Sequence, residues 1–307
     1  MTGPGNGVRP LPDWTSRLAP DPRLVIWPPS ADLAPYVTGY HLYAVGDIGD
    51  EPHRGAFEPA GASLRFAVVN DWWKLRPAKA NWMAPPVVSL FGPSSSLIWS
   101  ESGPGILVGV GIRPRGWARM FAQPASEWAD RIDVPPPLGK QDAESMLAIL
   151  RVVDNDDDVA RALEHIVRGA LRPPSADDPL IGAIEAALVD PEIRTAGELG
   201  EVVGIPSRRL QRLAHRAFGF SPRLLLRRAR FLRSLHALRA ASKEERASAI
   251  DEAYTDYSHF VRDSHDFLGM SPQAFLTHDM PLLKSSLELR TQVLGTPAQA
   301  LDPSPVV

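Results

Sequence analysis

Cysteine is absent from the 307 residues. That excludes disulfides, thiolate metal sites, iron–sulfur clusters and cysteine nucleophiles, and it fits a reducing compartment. Long apolar runs are absent too: Ile106–Ile112 falls far short of the ~20 residues that span a bilayer. The start, MTGPGNGVRPLPDW, lacks the apolar h-region of a secretory signal, so a soluble cytoplasmic protein is expected. No G-x-S-x-G or H-E-x-x-H string occurs, and Gly109-Val-Gly111 lacks the third glycine of a dinucleotide fingerprint. His41 and His53 stand apart rather than at ligand spacing. No catalytic residue, metal or cofactor is therefore expected. What remains is ordinary globular material, 44% hydrophobic and 22% charged.

Acidic residues are missing from one particular stretch. Between Ser207 and Lys243 stand ten Arg and one Lys without a single Asp or Glu, in a chain whose net charge is −3. A basic block in an otherwise acidic protein is the footprint of a polyanionic partner, although a solvated helix face gives the same count. Proline is abundant, 31 residues, and much of it precedes position 140, which argues against long helices there.

Residues 1–23 read as a loosely ordered arm. From 24 onward the runs Tyr36–Val45, Leu64–Val69, Pro86–Phe91 and Ile106–Ile112 are β-branched and aromatic, punctuated by Gly, Pro, Asn and Asp. Their spacing predicts an antiparallel sandwich or barrel. Helices are expected over Gly116–Phe121, Pro124–Arg131, Asp142–Val152 and Val159–Leu171. The first domain so spans 24–171, the linker RPPSADDP covers 172–179, a helical domain follows over 180–280, and 281–307 is a tail with a weak helix at Leu282–Val293. Seven of the eight Trp lie between 27 and 128. Trp72, Trp73, Trp82 and Trp99 are candidates to line an apolar ligand pocket, with core packing as the plainer alternative.

Thr195-Ala-Gly-Glu198 has the form of a capping box, and Gly204 that of a helix C-cap. Ile205-Pro206-Ser207 makes the turn, with Ser207 capping a second helix, RRLQRLAHRAF. Leu199, Val202, Val203, Ile205, Leu210 and Leu213 supply the apolar contacts between them. This is a helix–turn–helix pattern, whose second helix enters the major groove. Arg208, Gln211, Arg212 and His215 share its outer face; arginine suits guanine O6 and N7, and glutamine suits adenine N6 and N7. Arg209 and Arg216 diverge toward phosphates, and Arg223, Arg227 and Arg228 continue that role on a helix opened by Ser221-Pro222. A second capping box is expected at Ser242-Lys-Glu-Glu245. A second unit follows: a helix at Ala249–Tyr254, a turn at Thr255-Asp256-Tyr257, and a helix Ser258–Leu268. Gly269-Met-Ser271-Pro272 echoes Gly219-Phe-Ser221-Pro222.

The strings LGEVVGIPSRRLQRLAHRAFGFSPRLLLRRARFLRSL and YTDYSHFVRDSHDFLGMSPQAF make residues 180–277 resemble the AraC/XylS-type DNA-binding domain. The resemblance implies an α+β protein of two domains: a cupin-like β-rich sensor or dimerisation module with flanking helices, then an all-α double helix-turn-helix. Its phrase IRPRGWARMFAQPASEWADRI resembles the same regulators. In the second unit Tyr257, Ser258 and Arg262 become the base-edge candidates, with His259 structural. Departures stand at Glu252, Ala253, Ser264, His265 and Asp266, so the first unit is expected to carry most of the sequence reading. The expected partner is double-stranded DNA; RNA polymerase, a small-molecule effector and a second copy of the chain are further candidates. A sequence-specific transcription regulator, activator or repressor, is the first reading. The rivals are a regulator-derived protein-interaction module with weak non-specific DNA affinity, and an enzyme with a β-barrel substrate site.

Overall fold

The computed structural model describes residues 12–19, 21–49, 51–77, 80–242, 249–254 and 256–302. Its amino-terminal part is built from two antiparallel sheets. The larger has the order β1-β2-β8-β4-β6-β9, made of Arg23–Trp27 (β1), Val37–Val45 (β2), Gly105–Ile112 (β8), Ala62–Asn70 (β4), Val88–Phe91 (β6) and Ile132–Asp133 (β9). The smaller has the order β3-β7-β5, made of His53–Phe57 (β3), Ile98–Ser102 (β7) and Trp73–Pro77 (β5). All four expected strands form, each within two residues of its expected start.

Period-2 alternation divides the larger sheet. Tyr40, Leu42, Leu64, Phe66, Val108 and Val110 point to one face, where Pro114–Met120 (α1), Ala143–Arg151 (α2) and Asp156–Ala170 (α3) cover them. His41, Tyr43, Arg65 and Leu107 stand at the alternate positions and face a cavity. The cap of α2 is reciprocal: Asp142 accepts from the Ser145 N–H at 2.8 Å, and the Ser145 hydroxyl serves the Asp142 N–H. The helix expected over Pro124–Arg131 does not form. Pro124 precedes a single 3-10 turn, Ala125–Glu127, and Ile132 already pairs with Phe91 in β9.

Three stretches outside the main elements take definite form. Within 1–23, residues 1–11 and 20 lie outside the described residues; Trp14–Arg17 is a 3-10 turn whose Trp14 is buried in the sheet–helix core, and Arg23 begins β1. The stretch expected as the linker, 172–179, is held at its start, where the Arg172 guanidinium donates to the carbonyls of Ala118, Arg119 and Phe121 on and after α1. The helix expected at Leu282–Val293 forms as Pro281–Leu294 (α10) and lies across β1 and β3.

The carboxy-terminal part is helical: Asp178–Val189 (α4), Ala196–Val203 (α5), Ser207–Leu213 (α6), Pro222–Ala240 (α7), Tyr257–Leu268 (α8) and Pro272–Thr277 (α9). Two apolar cores sit in it. Ile181, Ile184, Leu199, Leu210, Leu213 and Phe218 form the first, and Phe231, Leu235, Phe260, Phe267 and Phe275 form the second. At 1.5 Å per residue α7 runs roughly 28 Å, giving Leu225 and Leu226 to the first core and Phe231, Leu232, Leu235 and Leu238 to the second. No helix of the described residues is long and apolar enough to cross a membrane.

Candidate nucleic-acid interface

Local chemistry fixes the first unit. The Thr195 hydroxyl accepts from the Glu198 N–H at 3.2 Å, and the Glu198 carboxylate takes the Thr195 N–H at 3.0 Å. These bonds serve two donors that a helix start leaves unsatisfied. Gly204 ends α5 at φ +72°, a left-handed turn that a side chain would strain. The capping of α6 differs from expectation: Pro206 occupies the N-cap with no side-chain bond, and Ser207 is the first helical residue. Val202, expected between the helices, is 65% exposed; Leu199, Ile205, Leu210 and Leu213 make the contact without it.

Burying that face of α6 turns the other outward. Arg208, Gln211, Arg212, His215 and Arg216 are exposed, and none has an acidic partner among the described residues. His215 and Arg216 lie in a π-helical turn, Ala214–Phe218, which widens the spacing after α6 and rotates them from the 3.6-residue register. Arg209 is half-exposed and meets Asp177 at 3.1 Å, a surface pair that costs little to exchange for a phosphate.

The long helix α7 tells a different story. Arg223 is exposed. Arg227 binds Asp263 at 2.6 Å and also Asp266. Arg230 meets Asp263 at 3.4 Å and Arg233 meets Asp251 at 2.9 Å. Arg228 is no phosphate ligand: it is 7% exposed, and its Nη1 donates to the carbonyls of Ala60 and Ser94 at 3.0 and 2.9 Å. Burial pulls its guanidinium down to about 10. Further along, Arg239 and His236 hold the buried Glu58 carboxylate at 2.9 Å each. The basic run is thus divided between a solvent-facing stripe on α6 and a set of internal clasps on α7. Apolar spacing on α7 alone does not reveal the division, since the acids that claim its arginines are remote in sequence.

In the second unit, Asp256 caps α8 by accepting from the His259 N–H at 2.7 Å. Tyr257, at 55% exposure, shares the outer surface with Ser258, Arg262, His265 and Asp266. His259 packs edge-on against Tyr254, which is the structural role expected for it. Ser264 is fully buried and gives its hydroxyl proton to the Met270 carbonyl at 2.7 Å. The helix expected over Ala249–Tyr254 is not formed in those residues, and the box at Ser242-Lys-Glu-Glu245 falls largely on 243–248, outside the described residues. The sequence reading passed over two groups here. Asp263, 1% exposed, gathers Arg227, Arg230 and the Tyr254 hydroxyl, which donates at 2.7 Å. Arg194, beside the Thr195 cap, is exposed and shares with Arg223 and Arg262 the rim of a cleft of about 720 Å³ between the units. Its place one residue before a helix N-cap was the available signal.

The four tryptophans do not meet. Trp73 lines the cavity between the sheets and α10, donating its indole N–H to Ser100 at 2.9 Å. Trp99 packs on His278, Trp72 borders a separate surface pocket, and Trp82 is exposed beneath Arg76. The cavity holds about 230 Å³. Among the described residues no cluster of His, Asp and Glu has the arrangement of a metal site.

A capped helix, a left-handed glycine turn and a second helix with an exposed cationic stripe make up a helix-turn-helix. Residues 199–278 match the helix-turn-helix domain family. No curated protein matches the chain. Among solved structures it is similar to ToxT from Vibrio cholerae. A 1.65 Å structure of that protein has 10% identity and a TM-score of 0.43, over 77% of this chain and 97% of that one. A second has 12% identity and a TM-score of 0.40, over 76% and 95%. A third, of wild-type ToxT with unsaturated fatty acid bound, has 12% identity and a TM-score of 0.40, over 74% and 91%. These likenesses are distant.

Proposed function

We propose that the chain is a sequence-specific DNA-binding transcription regulator in which α6 reads base edges in a major groove. The observation that carries this reading is the exposed stripe Arg208, Gln211, Arg212, free of acidic partners among the described residues, on the second helix of a capped helix-turn-helix. Those side chains have the donor geometry of guanine and adenine edges. Arg194, Arg209, Arg216 and Arg223 surround the stripe and take phosphates. Tyr257, Ser258 and Arg262 on α8 supply a second and weaker contact, in a groove one turn, about 34 Å, along the duplex. The paired Asp266 limits that contact by repelling phosphate. The amino-terminal domain acts as the sensor of a small-molecule effector and speaks to the reading head through α7, whose Arg228 and Arg239 are held by it. RNA polymerase and a second copy are the further partners of such a regulator. Selecting bound duplexes from a random library tests the reading. The wild-type chain is expected to enrich one motif and the Arg208→Ala, Arg212→Ala double variant to lose it; a wild-type chain that enriches nothing overturns the proposal.

A further inference from the structure

The cavity between the two sheets and α10 contains a cation with no counter-charge. Arg65 on β4 is half-buried, and its guanidinium lies 3.9 Å from the Phe57 ring centroid and 4.4 Å from that of Phe91. Its Nε donates to Ser63 at 3.1 Å, while its Nη1 has no partner among the described residues. In register, Arg65 and His41 both stand opposite Gly109, one on each side of β8. A Cβ on Gly109 would sit 2.6 Å from His41 Nε2, so the glycine leaves room for the imidazole. His41 Nε2 is also without a partner, as is Nε of Arg290 on α10. Burial, with Arg65 and Arg290 close by, pushes the imidazole well below its ordinary range, so His41 is a neutral hydrogen-bonding group rather than a third cation. The one acid that lines the cavity, Glu58, is already held by His236 and Arg239, and Arg290 is paired with Asp302.

Apolar side chains, including Ile26, Val69, Leu107, Leu283 and Leu287, share the lining with uncharged polar groups such as Thr38, Asn70 and Ser102. Helix α10 is a fitted wall. Its Ser286 bonds the Tyr43 hydroxyl at 2.8 Å, and Leu294 lies 2.9 Å from where a Cβ of Gly39 would stand. Beyond it, the Gln299 amide donates to the Ala62 carbonyl at 2.9 Å. A guanidinium whose Nη1 is buried without a partner, in a chamber with no free carboxylate among its described lining residues, has lost water without gaining a counter-charge, an imbalance a ligand can repair with paired, charge-assisted bonds.

We propose that this cavity binds a small organic carboxylate, its acid group on Arg65 and its apolar body against α10. A volume of about 230 Å³ is below the usual ~300–1,000 Å³ of drug-sized pockets, which favours a compact acid over a long chain. The inference deepens the effector reading given above and rests on it only for its consequence at the DNA.

The test is calorimetric titration of the full chain with hexanoate and cyclohexanecarboxylate against their neutral amides. Saturable binding of the acids is expected, with the amides about tenfold weaker or worse. Arg65→Gln is expected to bring the acids down to the level of the amides, and Leu287→Trp, which fills the chamber, to abolish both. Equal affinity of acid and amide, or no heat from either acid at millimolar concentration, overturns the proposal; that comparison decides it even if a variant does not fold. Duplex binding by the unliganded chain is measured in parallel, and its failure counts against the reading of α6 alone.

Discussion

Arg212 on α6 projects into solvent, whereas Arg228 on α7 gives its Nη1 protons to the carbonyls of Ala60 and Ser94. The two are chemically identical and differ in what surrounds them. Arg212→Ala is expected to cost ~1–3 kcal/mol of specific affinity and to relax one position of the bound motif, read by competition between duplexes. Arg223→Ala is expected to weaken all sequences alike. Arg228→Ala takes the donor from the buried Ser94 carbonyl and leaves that of Ala60 only the Ser94 N–H; unfolding in urea at neutral pH is expected to show a loss of ~1–3 kcal/mol, with sequence preference unchanged. Glu58 gives a pH signature. Burial raises its carboxyl, but the facing His236 and Arg239 outweigh that and hold it at about 2. Its folded value lies below its unfolded one, so its stabilisation is complete above the unfolded carboxyl range and is lost as pH falls toward 2. Glu58→Gln is expected to flatten the fall in the urea midpoint between pH ~5 and ~2 relative to wild type.

At the scale of elements, the first unit is fixed by caps and the second by ion pairs. Thr195→Ala removes one side of a capping box and is expected to cost ~1 kcal/mol in denaturant unfolding, leaving the bound motif unchanged. The second unit depends on Asp263, whose carboxylate meets Arg227, Arg230 and Tyr254 in the second core. Helix starts and stops were legible because they rest on neighbours within four residues: Thr195, Gly204, Ser221 and Ser271 all cap or terminate as their sequence context implies. The expected helix over Pro124–Arg131 was not, because Ile132 finds its hydrogen bonds on β6. The small sheet was missed altogether: β3, β5 and β7 are short and mix Arg, Lys, His or Glu into their alternation, so they have no clean period of their own.

For the whole molecule, the two parts are joined by buried polar contacts. Arg113 and Glu185 pair at 3.0 Å, and the Leu97 N–H donates to the Phe267 carbonyl at 2.8 Å. With Arg227, Arg228, Arg230, Arg233 and Arg239 of α7 engaged internally, the exposed Arg194, Arg209, Arg216 and Arg223, with Arg262, are the phosphate contacts of the proposed interface. The slope of log K against log salt is accordingly expected near −3 to −5, measured by titration; a value close to zero would contradict an electrostatic interface.

The amino-acid sequence alone determined the two classes of structure, the capped turn and the outward stripe of α6, because periodicity and capping act over a few residues. Only the tertiary structure decided which arginines are free: charge composition counts Arg212 and Arg228 equally, while Ala60, Ser94, Asp263 and Glu58 reach their partners across the fold. The same holds for the cavity, where strand register sets Arg65 beside His41 over Gly109, and α10 arrives from the far end of the chain to close it.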